Sequence, residues 1–327
     1  MTSVKRPGGP PGTMEVAGQI IRPGRRRILE IHAGRLVTGS ELTIPAAVIN
    51  GSRPGPRLWL TGAVHGDELN GVEIVRRIIE TVSPSEVSGS VVAVPIVNVF
   101  GFISGSRYLP DRRDLNRAFP GSPRGSLASR LADLVVENVI KDSDVGLDFH
   151  TGSAHRSNLP QIRADLDDPE TLRLAEAFGP PMLIHSRTRD GSMRQAATEL
   201  GKTVLLYEAG EPYRFNEEAI AVAVAGTRRV MAALGMLADA QPNGVRPVVA
   251  RSSSWIRARR AGIVRLRIGL GAHVDEGDEL GEIGDALGGR PTKVRARDRG
   301  WVIGLTLNPL VNRGDALVHV AREAVGS

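Results

Sequence analysis

Between residues 57 and 237, short apolar runs alternate with segments whose apolar residues recur every three to four positions. "RLWLTGAV" (57–64) reads as a buried strand, and "GVEIVRRIIETV" (71–82) as a helix with one apolar stripe. "SVVAVPIV" (90–97) predicts a second strand, "SLASRLADLVVENVI" (126–140) a helix, and "DVGLDF" (144–149) a third strand. Helices over 169–178, 192–200 and 216–237, with strands over 181–185 and 202–207, complete the series. Strands alternating with helices predict the α/β class and a mostly parallel sheet.

The pattern changes after "ADAQPNGVRP" (238–247), which reads as a linker. Beyond it, β-type runs recur between glycines, without helical periodicity. Residues 261–283 align weakly with 299–320, each half carrying Gly, a strand, a turn and then V-x-x-G-D-x-L. Two such halves predict a small β-barrel or sandwich over 248–327. Upstream, 18–51 predicts β-hairpins on the edge of a catalytic domain spanning 18–240. Residues 1–17, rich in Gly and Pro, predict a disordered lead.

Composition narrows the chemistry. The chain has no cysteine, which excludes disulfides, thiolate zinc sites and cysteine nucleophiles. A metal site must then draw on His, Asp and Glu. The formal charge of +6 comes with basic tracts at 24–28 and 257–260, but aromatic residues make up 4%. A solvated face, or attraction of small anions, accounts for that charge better than a nucleic-acid surface. No apolar run approaches the ~20 residues of a membrane helix. "MTSVKRPGGPPGT" lacks the apolar core of a secretory signal. The expectation is a cytoplasmic protein with no membrane or nucleic-acid partner.

Open α/β sheets bind ligands beyond the carboxyl ends of their strands. His65 follows the strand 57–64, His150 follows 144–149, and Glu208 follows 202–207. Glu68 stands one turn after His65 in "GAVHGDELNG" (62–71). Two imidazoles and a carboxylate, with one open position, make a catalytic zinc set. A further carboxylate can act as general base. His65, Glu68 and His150 are therefore assigned to one metal ion per chain, and Glu208 to the base. A single strand-end histidine is more often a surface residue; the concurrence of four groups at one rim carries the assignment. Asp67 keeps an ordinary role as a turn and helix-start acid, and Gly62, Gly66 and Gly71 are expected to let the chain turn sharply. His155 is expected to line the site without binding metal.

"RDLNRAFPG" (113–121) places Asn116 and Arg117 in a loop, a pair suited to holding a carboxylate. "SRYLPDRR" (106–113) supplies Arg107, Arg112 and Arg113, one of which is expected to face a developing oxyanion. The chain has no G-x-S-x-G elbow, "LGKTV" (200–204) lacks the first glycine of a P-loop, and "GLGAHV" (269–274) lacks the third glycine of a dinucleotide fingerprint.

"HGDE", "DLNRAFPG", "DFHTG" and "YEAGE", in this order, resemble the succinylglutamate desuccinylase/aspartoacylase family of the zinc carboxypeptidase superfamily. The resemblance covers roughly residues 40–237 and is specific as a set. It implies a mixed sheet flanked by helices. It implies that His65, Glu68 and His150 hold zinc, that Asn116 and Arg117 clamp a substrate α-carboxylate, and that Glu208 is the base. It also implies an oxyanion-stabilising arginine before "DLNR", for which Arg107 is the choice and Arg113 the rival. The reaction implied is hydrolysis of the amide bond of a small N-acyl amino acid.

The C-terminal repeat resembles the lipoyl-like hammerhead domain of one branch, which includes deacetylases of N-acetyl-diaminobutyrate. In "GDALGGRPTK" (284–293), Ala286 and Leu287 stand where a carrier lysine would be, and Lys293 lies further on. The domain therefore reads as a structural or oligomerisation module, consistent with a homodimer or homotetramer. Two other readings stay open: a carboxypeptidase acting on peptides, and a non-catalytic binding protein built on the barrel and basic tracts.

Overall fold

The computed structural model describes residues 12–244, 246–287, 289 and 291–322. Residues 1–11 of the expected lead, and 323–327 of the expected barrel, lie outside the described residues. So do Val245 in the expected linker, and Gly288 and Arg290 in the hairpin where a carrier lysine would stand. Met14–Val16 (β1) is not a disordered lead: it pairs antiparallel with Gln19–Ile21 (β2), and Met14 and Val16 are buried.

The strands Arg25–Arg35 (β3), Glu41–Asn50 (β4) and Arg53–Thr61 (β5) lead into helix Asn70–Thr81 (α1). Ser88–Val94 (β6), helix Val99–Ser104 (α2), helix Leu127–Val135 (α3) and Val145–His150 (β7) follow. Next come Arg156–Ala164 (β8), helix Pro169–Phe178 (α4), Met182–His185 (β9), helix Met193–Glu199 (α5), Thr203–Gly210 (β10) and helix Glu217–Ala233 (α6). The C-terminal strands are Val248–Ala250 (β11), Ser253–Arg257 (β12), Gly262–Leu266 (β13), His273–Val274 (β14), Glu279–Gly284 (β15), Thr292–Arg295 (β16), Gly300–Thr306 (β17), Leu310–Val311 (β18) and Ala316–Arg322 (β19).

The main sheet runs β3-β4-β6-β5-β7-β10-β8-β17-β19-β12. Its centre, β6-β5-β7-β10, is parallel, while β3, β4 and β8 join antiparallel. The sheet is thus mixed, as the family resemblance implied, and less parallel than the alternation of elements suggested. All six residues of β7 are buried, as a strand covered on both faces requires. One face packs on α1, α4 and α6 through Ile74, Ile78, Leu174, Phe178 and Ile220. The other packs on α3 and α5 through Trp59, Leu131, Val135, Met193 and Ala197.

The C-terminal strands form two layers around Val264, Leu280, Ile283, Val302 and Val318. Strands β13, β15, β16 and β18 make a separate four-stranded sheet. The other layer continues the main sheet: β17 pairs with β8, and β11 pairs with β9. Met182, Ile184, Ala250, Ile303 and Ala321 fill the junction. Lys293 lies within β16 with its ammonium 2.6 Å from Glu279, so it is not displayed on the hairpin tip. No described helix is long and apolar enough to cross a membrane.

Candidate active site

The first motif hangs from the end of β5. That strand stops at Thr61, three residues before the expected end, because the backbone of Gly62 and Ala63 turns to pair with Val97 and Asn98. His65 therefore sits in a loop, on a chain that passes through a positive φ of 45° at Ala63. Gly62, Gly66 and Gly71 do not supply the turn, and none has a positive φ. They are needed for space. A Cβ on Gly66 would stand 1.9 Å from the carbonyl carbon of Gly101, and one on Gly71 would stand 2.8 Å from the Phe149 oxygen. The loop is pressed against α2 and β7, which aims both His65 and Glu68 at His150.

His65, Glu68 and His150 are buried, and their ligand atoms lie within 4.8 Å of one another. His65 Nδ1 is 2.8 Å from one Glu68 oxygen, and His150 Nδ1 is 2.8 Å from the other. The two Nδ1 atoms are 3.2 Å apart. Nitrogen donors at the zinc bond length of about 2.0–2.1 Å span a tetrahedral edge of about 3.3 Å, so the donor set fits such an ion. Each Nε2 faces a carboxylate: Asp114 at 3.2 Å from His65, and Asp148 at 2.9 Å from His150. Such outer carboxylates fix the ring orientation and leave the opposite nitrogen as the ligand. Thr61 Oγ1 donates to Asp148 at 2.8 Å, and the Thr151 backbone N–H donates to Glu68 at 3.1 Å.

Burial disfavours protonation of both imidazoles, but the carboxylates outweigh it. Glu68 and Asp114 raise the pKa of His65, and Asp148 with Glu68 raises that of His150 well above its ordinary value. Against its own burial, Glu68 is held ionised by the two histidines. The surrounding carboxylates thus favour positive charge at this place. Asp67 is buried, and burial with the neighbouring Glu68 charge raises its pKa.

Glu208 lies within β10, two residues before its end, as the register partner of His150 on the parallel neighbour β7. Asn158 on β8 donates to Glu208 Oε2 at 2.6 Å, and Arg163 Nε is 3.8 Å from Oε1. Arg107 donates to Glu68 at 3.2 Å and to Asp114 at 2.9 Å. Asn116 accepts from the Met193 backbone N–H at 2.8 Å, which leaves its amide N–H₂ free to donate. These residues, with Arg117, line one cavity of about 180 Å³.

Arg113 and His155 do not line it. Arg113 is exposed, with its guanidinium 3.8 Å from Asp111, and His155 is an exposed turn residue with a φ of 58°. Asp114 and Asp148 were missed in the sequence, although "DFH" on an alternating strand already puts Asp148 and His150 on one face. Also missed were Arg156, Asn158 and Arg163 on β8 and Trp255 on β12, all of which line the cavity. The cavity wall includes the arginines 107, 117, 156, 163, 189 and 194, against the carboxylates of Glu68, Asp148 and Glu208.

A model of the succinylglutamate desuccinylase/aspartoacylase catalytic domain matches residues 54–234. The chain belongs to the succinylglutamate desuccinylase/aspartoacylase family. As a member it is an enzyme of the deacylase class. It is 28% identical over 292 residues to the N-alpha-acetyl-L-2,4-diaminobutyric acid deacetylase of Halomonas elongata, covering 85% of each chain. The product-bound ectoine utilization protein of Ruegeria pomeroyi is similar in structure, with a TM-score of 0.84 and 27% identity, covering 93% of this chain and 98% of that one. A succinylglutamate desuccinylase/aspartoacylase from Rhodobacter sphaeroides superposes with a TM-score of 0.83 at 27% identity, over 93% and 97% of the two chains. At that coverage the likeness includes the C-terminal strands as well as the catalytic sheet.

Proposed function

We propose that the protein is a zinc-dependent deacylase that hydrolyses the amide bond of a small, negatively charged N-acyl amino acid. The products are a carboxylate and a free amine. The convergence of both Nδ1 atoms and the Glu68 carboxylate carries this reading, since the set faces a cavity holding Glu208, Arg107, Asn116 and Arg117. His65, Glu68 and His150 would hold one zinc ion per chain. When bound, zinc polarises a carbonyl and makes water acidic near neutral pH.

The chain's own groups do the rest. Asn116 Nδ2 and the Arg117 guanidinium hold the substrate's α-carboxylate and so fix where the amide lies. Glu208 takes a proton from the attacking water and returns it to the leaving nitrogen. Arg107, already fixed by Asp114 and Glu68, offers its remaining N–H groups to the oxyanion that develops on the acyl oxygen. Among the carboxylates near these motifs, neither Glu211 nor Asp165 lines the cavity, so neither is placed to pair with a cationic side chain there. The arginine-rich wall instead favours a substrate without a free side-chain amine.

A carboxypeptidase would use the same groups, but the small cavity and the Trp255 wall favour N-acyl amino acids over peptides. The test is a panel of N-acetyl and N-succinyl amino acids beside matched dipeptides. Hydrolysis of acyl derivatives of aspartate or glutamate, with dipeptides and N-acetyl-diaminobutyrate at least tenfold poorer, supports the reading. Preferential cleavage of dipeptides contradicts it.

A further inference from the structure

The C-terminal β domain reaches the cavity through Trp255 on β12. A row of register partners leads there. Asn158 on β8 pairs with Gly304 on β17, Gly304 with His319 on β19, and His319 with Trp255. Residues directly opposite on neighbouring strands share a face. These four positions therefore form one line from the catalytic sheet into the C-terminal domain.

Gly304 is the gap in that line. A Cβ there would meet Asn158 Oδ1 at 2.9 Å, His319 Cβ at 3.2 Å and the Trp255 ring at 3.5 Å. The φ of Gly304 is not positive, so glycine is present for space. The indole lies back across the gap, stacked on His319 with 4.4 Å between centroids and 12° between planes. The Arg156 guanidinium stands 5.1 Å from the ring centroid. His319 Nε2 is 2.9 Å from Ser253 Oγ. Burial, with Arg163, Arg156 and Arg189, pushes the His319 pKa down to about 3, so the stacked imidazole is neutral. The indole is thus held in place by groups from both domains.

Leu206 and Trp255 are the two large apolar side chains on the cavity wall among the described residues; the rest of the wall is mainly guanidinium, imidazole, carboxylate, amide and hydroxyl. In the deacylase reading, on which this inference rests, the substrate's α-carboxylate goes to Asn116 and Arg117. The apolar wall is left for the acyl chain. We propose that Trp255 is the acyl-facing wall of the substrate cavity, so that the C-terminal β domain sets the length of acyl group the enzyme accepts. A short chain lies against the indole edge. A longer one must displace a ring fixed between His319 and Arg156. The C-terminal domain is on this account a working part of the active site, through residues on β12, β17 and β19.

The test compares kcat/KM for the N-acetyl, N-butanoyl and N-hexanoyl derivatives of one amino acid, in the wild type, Trp255→Ala and Trp255→Phe. Metal content and Tm are measured for each protein. In the wild type, kcat/KM is expected to fall as the chain lengthens. In Trp255→Ala the hexanoyl-to-acetyl ratio should rise by about tenfold or more, the scale on which pockets discriminate methylenes. Trp255→Phe, which keeps an aromatic ring on His319, should give an intermediate ratio and serves if the alanine variant does not fold. An unchanged ratio in a variant with wild-type metal content and Tm overturns the proposal. A wild type inert on all three derivatives but active on N-succinyl amino acids overturns the acyl wall alone; one inert on the whole N-acetyl and N-succinyl panel overturns the deacylase reading and the acyl wall with it.

Discussion

Asp148 and His150, two residues apart on β7, form a single unit: Asp148 Oδ2 lies 2.9 Å from His150 Nε2, while Nδ1 of the same ring faces Glu68. Both side chains are buried, and Thr61 anchors the other Asp148 oxygen. The carboxylate sets the ring's orientation and makes Nδ1 the available donor. Asp148→Asn should therefore keep the fold but weaken zinc binding by about 10–100-fold, the usual cost of removing such a partner. Competition titration against a metallochromic chelator measures this. An unchanged affinity would remove Asp148 from the account.

Two arginines competed for one role in the sequence, and their surroundings differ sharply. Arg107 lines the cavity and is fixed by Glu68 and Asp114, while Arg113 is exposed. Arg107→Met should lower kcat by about 10²–10³-fold, as loss of one oxyanion donor does. Arg113→Ala should leave kcat and KM within twofold. Steady-state kinetics on both variants decides, and the reverse ranking would contradict the assignment.

Glu208 is held by Asn158, and the two variants should separate base from support. Glu208→Gln should retain full zinc content and lose about 10²–10⁴-fold in kcat. Asn158→Ala should lose less, with KM little changed, because the base remains but is less well oriented. A Glu208→Gln enzyme with near-normal turnover would show that the proton is handled elsewhere.

Much of this site was legible in the sequence because its chemistry is concentrated at strand ends. His65, Glu68, His150 and Glu208 each lie at or just beyond a strand end that the apolar pattern predicts, and the structure brings the first three into contact, with Glu208 beside His150. What stayed hidden has physical reasons. Strand β8 carries Arg156, Asn158 and Arg163 toward the cavity, so its sequence lacks the apolar run that marks a buried strand. His155 was expected in the site because it follows His150 closely, but the chain turns outward there with positive φ at Ala154 and His155. The C-terminal repeat predicts a small barrel or sandwich, and the described residues there form β strands, one layer of which continues the main sheet. Nothing in its periodicity told that β17 would pair with β8, or that Trp255 would reach the cavity.

The metal-free protein should depend on pH in a way the loaded protein does not. His65 and His150 have pKa values raised on folding, burial opposing and the surrounding carboxylates prevailing. Their contribution to stability is present below the unfolded value of about 6.5, and is lost as pH rises through the folded values. Glu68 and Asp114 are depressed on folding, again against burial, chiefly by their histidine partners. Their contribution is present above the unfolded carboxylate range of about 4 and is lost only at lower pH. The chelated protein should be most stable between about pH 4.5 and 6.5, with Tm falling toward pH 9. Zinc should flatten that fall, since it binds the neutral imidazoles that alkaline pH provides. Thermal melts with chelator and with zinc test both curves; a chelated Tm that rises steadily to pH 9 would contradict them.

The central claim is that one metal ion, held by His65, Glu68 and His150, is required for cleavage of an N-acyl amino acid. The most direct measurement follows amine release from N-acyl amino acids by the same protein preparation before chelation, after chelation and after addition of one equivalent of zinc. The account predicts activity that is lost with the metal and returns in proportion to zinc bound, reaching its maximum at one zinc per chain. Amine release that persists in the fully chelated protein, or a zinc-loaded protein that cleaves no N-acyl amino acid, would contradict it.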